Sequence, residues 1–334
     1  MCDTQTSTNA RVCLHQKALP HPQPFSRGAK GVNSLSRRER VGVRESGFTL
    51  VEMIVVIVIT GIIAGIVAIF IKAPVQGYVD SARRAELTDI ADTAVRRLAR
   101  DVRIAVPNSV RIAGCGSVRC VEFLPTRDGG RYRASPAGGG TGCNGYAGNT
   151  KQAALSFDAA DTCFEIIGTT ITFAAGDQIV IGSTQSDGNI PYQLPTSATS
   201  VRRSLAAAGV GSSQVVKMDS TIKLPDSAEL PSHRFDVVDG TQQAVTYACT
   251  NVSTDANGTG TGQLVRYWGY GFNASQVNPP VGATIAILAD KLSDCVITYD
   301  VPNQSFGLLA VRLTITEANE SVTLYNEIHV NNAP

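Results

Sequence analysis

Residues 47–72 read GFTLVEMIVVIVITGIIAGIVAIFIK, and the architecture of the chain follows from them. Glu52 is the only charged residue between Phe48 and Ile71. Met53 to Ile71 alone is 19 uncharged residues, and a helix of that length rises roughly 28 Å, close to the thickness of a bilayer's hydrocarbon core. The sequence therefore predicts a transmembrane helix over 48–72.

The flanks of this segment predict its orientation. Four arginines precede it, namely Arg37, Arg38, Arg40 and Arg44. Cytoplasmic flanks carry an excess of basic residues, so we expect a single-pass, N-in protein of a bacterial inner membrane with everything after Lys72 in the periplasm. A cleaved secretory signal has a shorter apolar core, whereas this segment continues into an amphipathic pattern.

Composition excludes some classes of protein. The chain has 334 residues, is 43% hydrophobic and has a formal net charge of +1, so it can bury a core and is not a generally basic nucleic-acid binder. The net charge is unevenly distributed along the chain, because residues 1–47 hold eight Lys/Arg and only three Asp/Glu. We expect no nucleic-acid partner.

An amphipathic helix is predicted to continue from the membrane segment over 73–106. Apolar residues recur there at three- and four-residue steps until Pro107. Its arginines alternate with carboxylates, and the spacing predicts the ion pairs Asp92/Arg96 and Arg97/Asp101 on a solvated face rather than a DNA- or lipid-binding surface.

Beyond Pro107 the pattern changes to that of β-strands. Short β-branched and aromatic runs alternate with Gly, Asn, Asp and Pro, and VEFLP (121–125), TRDGG and RYRA (131–134) predict a hairpin. A long amphipathic helix must cover an apolar face, so we predict an α+β fold in which the N-terminal helix packs on a mainly antiparallel β head over 107–334.

The cysteines suit an oxidising compartment. Of the eight, Cys2 and Cys13 precede the membrane segment and six follow it. Six allow fifteen pairings; proximity and chain order favour the pairs Cys115–Cys120, Cys143–Cys163 and Cys249–Cys295. A zinc site is disfavoured because no CxxC pair occurs and only two histidines follow the membrane segment.

No motif for catalysis or for a cofactor stands out, so we expect a protein that is not an enzyme. The glycine-rich stretch 138–145 lacks the strand and helix of a phosphate-binding loop. Residues 254–258 are a polar turn or a calcium loop without a downstream Glu. Tyr267, Trp268 and Tyr270 are either a binding surface for a sugar or a partner, or core residues.

The hexapeptide GFTLVE (47–52), with basic residues before it and an apolar run after it, resembles the processing site of type IV prepilins and type II secretion pseudopilins. The resemblance implies that prepilin peptidase cleaves after Gly47 and methylates the new N-terminus, Phe48. It also implies that Glu52 neutralises the N-terminal amine of a neighbouring subunit. Residues 1–47 would then be the leader. A leader of 47 residues is long for this family, so its start codon is open to reassignment, and the first proline after the cut is Pro74.

Segments of the head resemble minor pilin-like proteins of the mannose-sensitive haemagglutinin (MSHA) pilus, and also the J-type pseudopilin of type II secretion. They are AVRRLARDVRIAVPNSVRI, VEFLPTRDGGRYRA, RYWGYGF, LADKLSDCVITYD and HVNNAP. The resemblance implies other pilin subunits, prepilin peptidase, an inner-membrane assembly platform and membrane lipid as partners. An unprocessed, membrane-anchored binding protein remains an alternative.

Overall fold

The computed structural model describes residues 47–112, 115, 119–135, 153–184, 189–303 and 305–334. The chain divides into two compact units, Met1–Ile63 and Ala64–Pro334. In the first unit, the described part is the start of helix α1 (Leu50–Arg103), and all of its side chains are exposed. The second unit contains the rest of α1 and all the strands.

The second unit has its first core between α1 and a six-stranded antiparallel sheet. The strands are ordered β1 (Cys120–Phe123), β10 (Val245–Thr250), β11 (Gly262–Trp268), β12 (Thr284–Asn303), β13 (Phe306–Glu317) and β14 (Glu320–Asn331). The face of α1 that carries Leu87, Val95, Leu98 and Val102 is buried in this core. The three- and four-residue spacing of apolar side chains predicted this face. An α+β fold with a mainly antiparallel sheet is confirmed.

A second core fills a closed barrel. Its strands are β2 (Thr126–Tyr132), β3 (Cys163–Ile167), β8 (Val215–Asp219), β6 (Arg202–Leu205), β5 (Gln178–Ile181) and β9 (Arg234–Val238). Two short strands, β4 (Ile171–Phe173) and β7 (Gly211–Ser213), form a separate pair. Phe164, Ile179, Tyr192 and Phe235 are among the buried residues of the barrel. The sequence did not predict that the β-rich region holds two cores.

The predicted hairpin at 121–134 is wrong. Strand β1 pairs with β10 and strand β2 pairs with β9, so the two predicted arms lie in different sheets. Gly129 and Gly130, interpreted as a turn, lie inside β2. A Cβ on Gly129 would lie 2.9 Å from the carbonyl oxygen of Phe235, so these glycines permit a close approach of two strands rather than a reversal of the chain.

Helix α1 ends earlier than predicted, at Arg103 rather than at residue 106. Ala105 forms an isolated β-bridge with Pro125, and the N–H of Val106 donates to the carbonyl oxygen of Leu124 at 2.8 Å. Tertiary pairing therefore takes the backbone out of the helix before Pro107 could end it.

One of the two predicted helical ion pairs forms. Arg96 pairs with Asp92. The predicted partner of Arg97, Asp101, instead accepts hydrogen bonds from Arg266 Nε at 3.0 Å and from the Tyr247 hydroxyl at 2.7 Å. The Asp101 side chain faces the sheet and is only 18% exposed, so a partner on the sheet displaces the one on the helix.

Two of the favoured disulfides are present. Cys115 bonds Cys120 with a Cα–Cα distance of 5.3 Å, and Cys249 on β10 bonds Cys295 on β12 with a distance of 6.4 Å. Cys163 is also in a disulfide. Its predicted partner, Cys143, lies outside the described residues.

Candidate processing and assembly site

The motif of residues 47–52 lies at the start of α1. The Oγ1 atom of Thr49 accepts the backbone N–H of Glu52 at 3.2 Å, and the carbonyl oxygen of Thr49 accepts the N–H of Met53 at 3.2 Å. Thr49 is therefore the N-cap, and the helix begins at Leu50. The sequence signal for this cap is the Thr-x-x-Glu spacing of a capping box at Thr49 and Glu52.

Gly47 and Phe48 lie outside the helix and are accessible. The Phe48 side chain is 80% exposed. No atom of the other described residues lies within 4 Å of a Cβ built on Gly47. Packing among the described residues therefore leaves room for a side chain at this position.

Glu52 lies in the first turn of α1 and is exposed. A carboxylate in the first turn interacts favourably with the helix dipole. Among the described residues, its side chain has no ion-pair partner. An unpaired carboxylate inside a bilayer costs about 3 kcal/mol near the centre of a helix and less near the interface, and a cation beside it would lower that cost.

The side chains of the apolar part of α1 are exposed in the described structure. Exposure ranges from 76% at Leu50 to 46% at Val67. Within the described residues, α1 is the helix that is long and apolar enough to cross a membrane, with a mean hydropathy of 3.2 in its most apolar window and none of that window buried. Such a surface must be covered by lipid or by other apolar helices.

Comparison with known proteins identifies a family motif at the start of α1. The family model "Prokaryotic N-terminal methylation motif" matches residues 43–68. The match supports a type IV pilin-like family, whose members are processed by prepilin peptidase and assemble with other pilins. No curated protein and no solved structure matches the chain significantly. The motif and the apolar helix together indicate a membrane-anchored, pilus-associated subunit.

The aromatic residues proposed as a binding surface are not brought together. Tyr267 packs against the cluster around Cys115 and Cys120, and Trp268 packs against the core between α1 and the sheet. Tyr270 packs against the barrel core, and its hydroxyl donates to Glu122 Oε1 at 2.9 Å. Burial raises the pKa of Tyr270 above its ordinary value. Much of each ring is therefore used in packing.

The remaining candidates have ordinary structural surroundings. Asp255 Oδ1 accepts the N–H groups of Asn257 at 2.9 Å and Thr259 at 2.8 Å, as in a polar turn. The ring centroids of His233 and Tyr132 lie 5.4 Å apart. The glycine-rich stretch 138–145 lies outside the described residues. In the part of the chain that the structure describes, no group of three His, Cys, Asp or Glu side chains could hold a metal.

Proposed function

We propose that this protein is a minor pilin, cleaved between Gly47 and Phe48 and incorporated at, or priming, the tip of a type IV pilus of the MSHA type. In this role it is similar to the MSHA biogenesis protein MshO. The observation that carries the proposal is a methylation motif that continues into the exposed apolar part of α1. The product is a structural subunit, and its activity is assembly.

Charge pairing gives the assembly step a physical basis. Cleavage creates an ammonium group at Phe48, and placing it in an apolar environment is costly without an anion. Glu52 of a neighbouring subunit supplies that anion. Because attraction between the two charges strengthens at low dielectric, the pair sets the axial register of one helix against the next.

The proposed topology has a leader over 1–47, a transmembrane helix over 48–72, its amphipathic continuation over 73–106 and a periplasmic head over 107–334. The disulfides Cys115–Cys120 and Cys249–Cys295 support an oxidising location for the head. An N-in orientation in the inner membrane follows from the basic flank. The partners are prepilin peptidase, the assembly platform, other pilins and lipid.

The size of the head supports a minor role. The region after α1 contains a six-stranded sheet with one core and a barrel with another. A subunit this bulky suits a position that is occupied once, at the tip, better than one that repeats along a fibre. A J-type pseudopilin of type II secretion shares this processing and plan, and the secretion or pilus genes beside this one distinguish the two.

The proposal is tested by substituting Glu52→Gln, with Glu86→Gln as the control. Glu86 is an exposed carboxylate on the same helix with no ion pair in the described chain. We expect Glu52→Gln to reduce incorporation into sheared filaments at least tenfold, and Glu86→Gln to leave it within twofold of wild type. Equal incorporation of both variants would contradict a register role for Glu52. Unchanged piliation with altered ligand binding by the Tyr267, Trp268 and Tyr270 region would favour the anchored binding protein.

A further inference from the structure

A groove lies in the second unit, on the outer side of strands β2 and β9. Its main cavity has a volume of about 600 Å³ and is bordered by the end of α1, by the two strands and by the last residues of the described chain. Two further cavities adjoin it along the segment that ends at Pro334. The three cavities share residues of this segment, so together they form one elongated groove.

Two arginines face each other in this groove. Arg131 on β2 is the direct cross-strand partner of Arg234 on β9, and both are exposed. Like charges placed directly opposite each other destabilise a sheet. Neither side chain forms an ion pair with a described residue. The fold therefore maintains an unfavourable arrangement that a bound anion would reverse.

The charged side chains around this pair leave it available, and Pro334, which carries the terminal carboxylate of the chain, lines the same cavities. Arg103 adds a third cation at the end of α1, whereas Arg127 is already paired with Asp177. The Asp128 carboxylate accepts the N–H of Gly129 at 2.8 Å. Asp236 lies near Arg234 without a hydrogen bond in the described structure, and it offsets part of that positive charge.

The adjoining cavity presents polar atoms that have no hydrogen-bond partner. Asn108 is 2% exposed and lines a cavity of about 270 Å³ together with Ser232. The Asn108 Oδ1 atom and the Ser232 Oγ atom are both buried without a partner in the described structure. Such atoms are costly to leave unsatisfied. Asn108 Oδ1 can only accept a hydrogen bond, so it requires a donor, which a simple carboxylate ion lacks at neutral pH.

We propose that this groove binds an extended acidic segment of another polypeptide, with carboxylates on Arg131 and Arg234 and a peptide N–H on Asn108. An acidic peptide supplies both the carboxylates and the N–H donors that the side chains of the groove lack. The paired guanidinium groups suit bidentate recognition of carboxylates. This inference does not depend on cleavage after Gly47 or on the register role of Glu52.

The test uses the full chain in detergent micelles and fluorescently labelled, N-acetylated hexaglutamate at low ionic strength. Binding is measured by anisotropy for the wild type and for the double variant Arg131→Gln/Arg234→Gln. The matched control, Arg96→Gln/Arg312→Gln, removes two exposed arginines outside the groove. We expect affinity to fall at least tenfold in the groove variant and less than twofold in the control. Ser232→Ala should weaken binding two- to fivefold.

Three outcomes overturn the proposal: equal losses in both double variants, equal binding of hexaglutamine, or tighter binding of an oligogalacturonate than of hexaglutamate. Thermal unfolding checks that the groove variant is folded. Its midpoint without peptide should stay close to that of wild type, because the substitution removes a repulsive pair but also the attraction between Arg234 and Asp236. Hexaglutamate should raise the midpoint of wild type but not that of the groove variant.

Discussion

The guanidinium of Arg111 and the carboxylate of Glu122 form an ion pair that is buried from solvent, with Nε 2.9 Å from Oε2 and side-chain exposures of 1% and 0%. Arg111 also donates to the carbonyl oxygen of Asn273 at 2.6 Å, and its guanidinium carbon lies 3.6 Å from the ring centroid of Tyr192. Glu122 accepts from Tyr270 at 2.9 Å. The sheet, the barrel core and the segment that follows β11, which contains Tyr270 and Asn273, thus meet at one buried charge pair.

Removing one member of this pair should be costly. We expect Arg111→Met to lower the free energy of unfolding by about 4 kcal/mol at pH 7, because it leaves a buried carboxylate without its cation. Urea unfolding of the full chain in micelles, followed by the fluorescence of the single tryptophan, Trp268, measures the change.

The double variant Arg111→Met/Glu122→Gln serves as the control for this prediction. It should recover part of the lost stability, since no charge is then buried alone. Burial already raises the pKa of Glu122 above its ordinary value in the presence of Arg111. The loss in Arg111→Met should therefore shrink as the pH falls and Glu122 is protonated. A loss that is the same at pH 4 and pH 7 would contradict the assignment of the cost to the carboxylate charge.

Asp236 should make stability depend on pH. Burial raises the pKa of its carboxyl group from 3.8 to about 6, and Arg234 offsets only part of this effect. The folded state then binds a proton more tightly than the unfolded state, so this group lowers stability as the pH rises from about 4 to about 6. Since Asp236 is only partly shielded from solvent, we expect Asp236→Asn to be more stable than wild type at pH 7 by about 1 kcal/mol.

The measurement for Asp236 is the difference in unfolding free energy between the variant and wild type across pH 4 to 7. This difference should increase with pH over the interval and then become constant. Asp294→Asn is a suitable control because it alters an exposed carboxylate that pairs with Arg312. A variant-minus-wild-type difference for Asp236→Asn that does not change with pH would refute the raised pKa.

The two described disulfides should differ in their contributions to stability. Cys249 and Cys295 are separated by 46 residues, whereas Cys115 and Cys120 are separated by 5. A longer closed loop removes more entropy from the unfolded chain, so we expect Cys249→Ser/Cys295→Ser to lose about 4 kcal/mol and Cys115→Ser/Cys120→Ser about 2 kcal/mol. Urea unfolding of both double variants measures the order, and a larger loss from the shorter loop would contradict it.

Features encoded locally were predictable from the sequence. The uncharged run from Met53 to Ile71 predicted the apolar helix, and the spacing of Leu87, Leu98 and Val102 predicted its buried face, because both patterns depend only on the geometry of one helix. The motif around Glu52 was visible for the same reason. Its residues are consecutive and need no partner from the rest of the fold to be recognised.

Strand pairing and ion pairs between distant residues were not predictable, although the Cys249–Cys295 disulfide was. Arg131 and Arg234 are opposite each other only because β2 pairs with β9. Asp101 forms its ion pair with Arg266, which is more than a hundred residues away, and not with Arg97 on the same helix. The turn composition of residues 126–130 predicted a reversal of the chain, but strand pairing overrode it. No local signal in the sequence distinguishes one core from two.

The most direct test of the central claim is the mass of the N-terminal peptide of the membrane-extracted protein, compared between cells with and without prepilin peptidase. The account predicts an N-methylated peptide that begins at Phe48 in cells with the peptidase, and an uncleaved Gly47–Phe48 bond in cells without it. An N-terminal segment that is identical and uncleaved at Gly47 in both strains would contradict processing and assembly as a pilin.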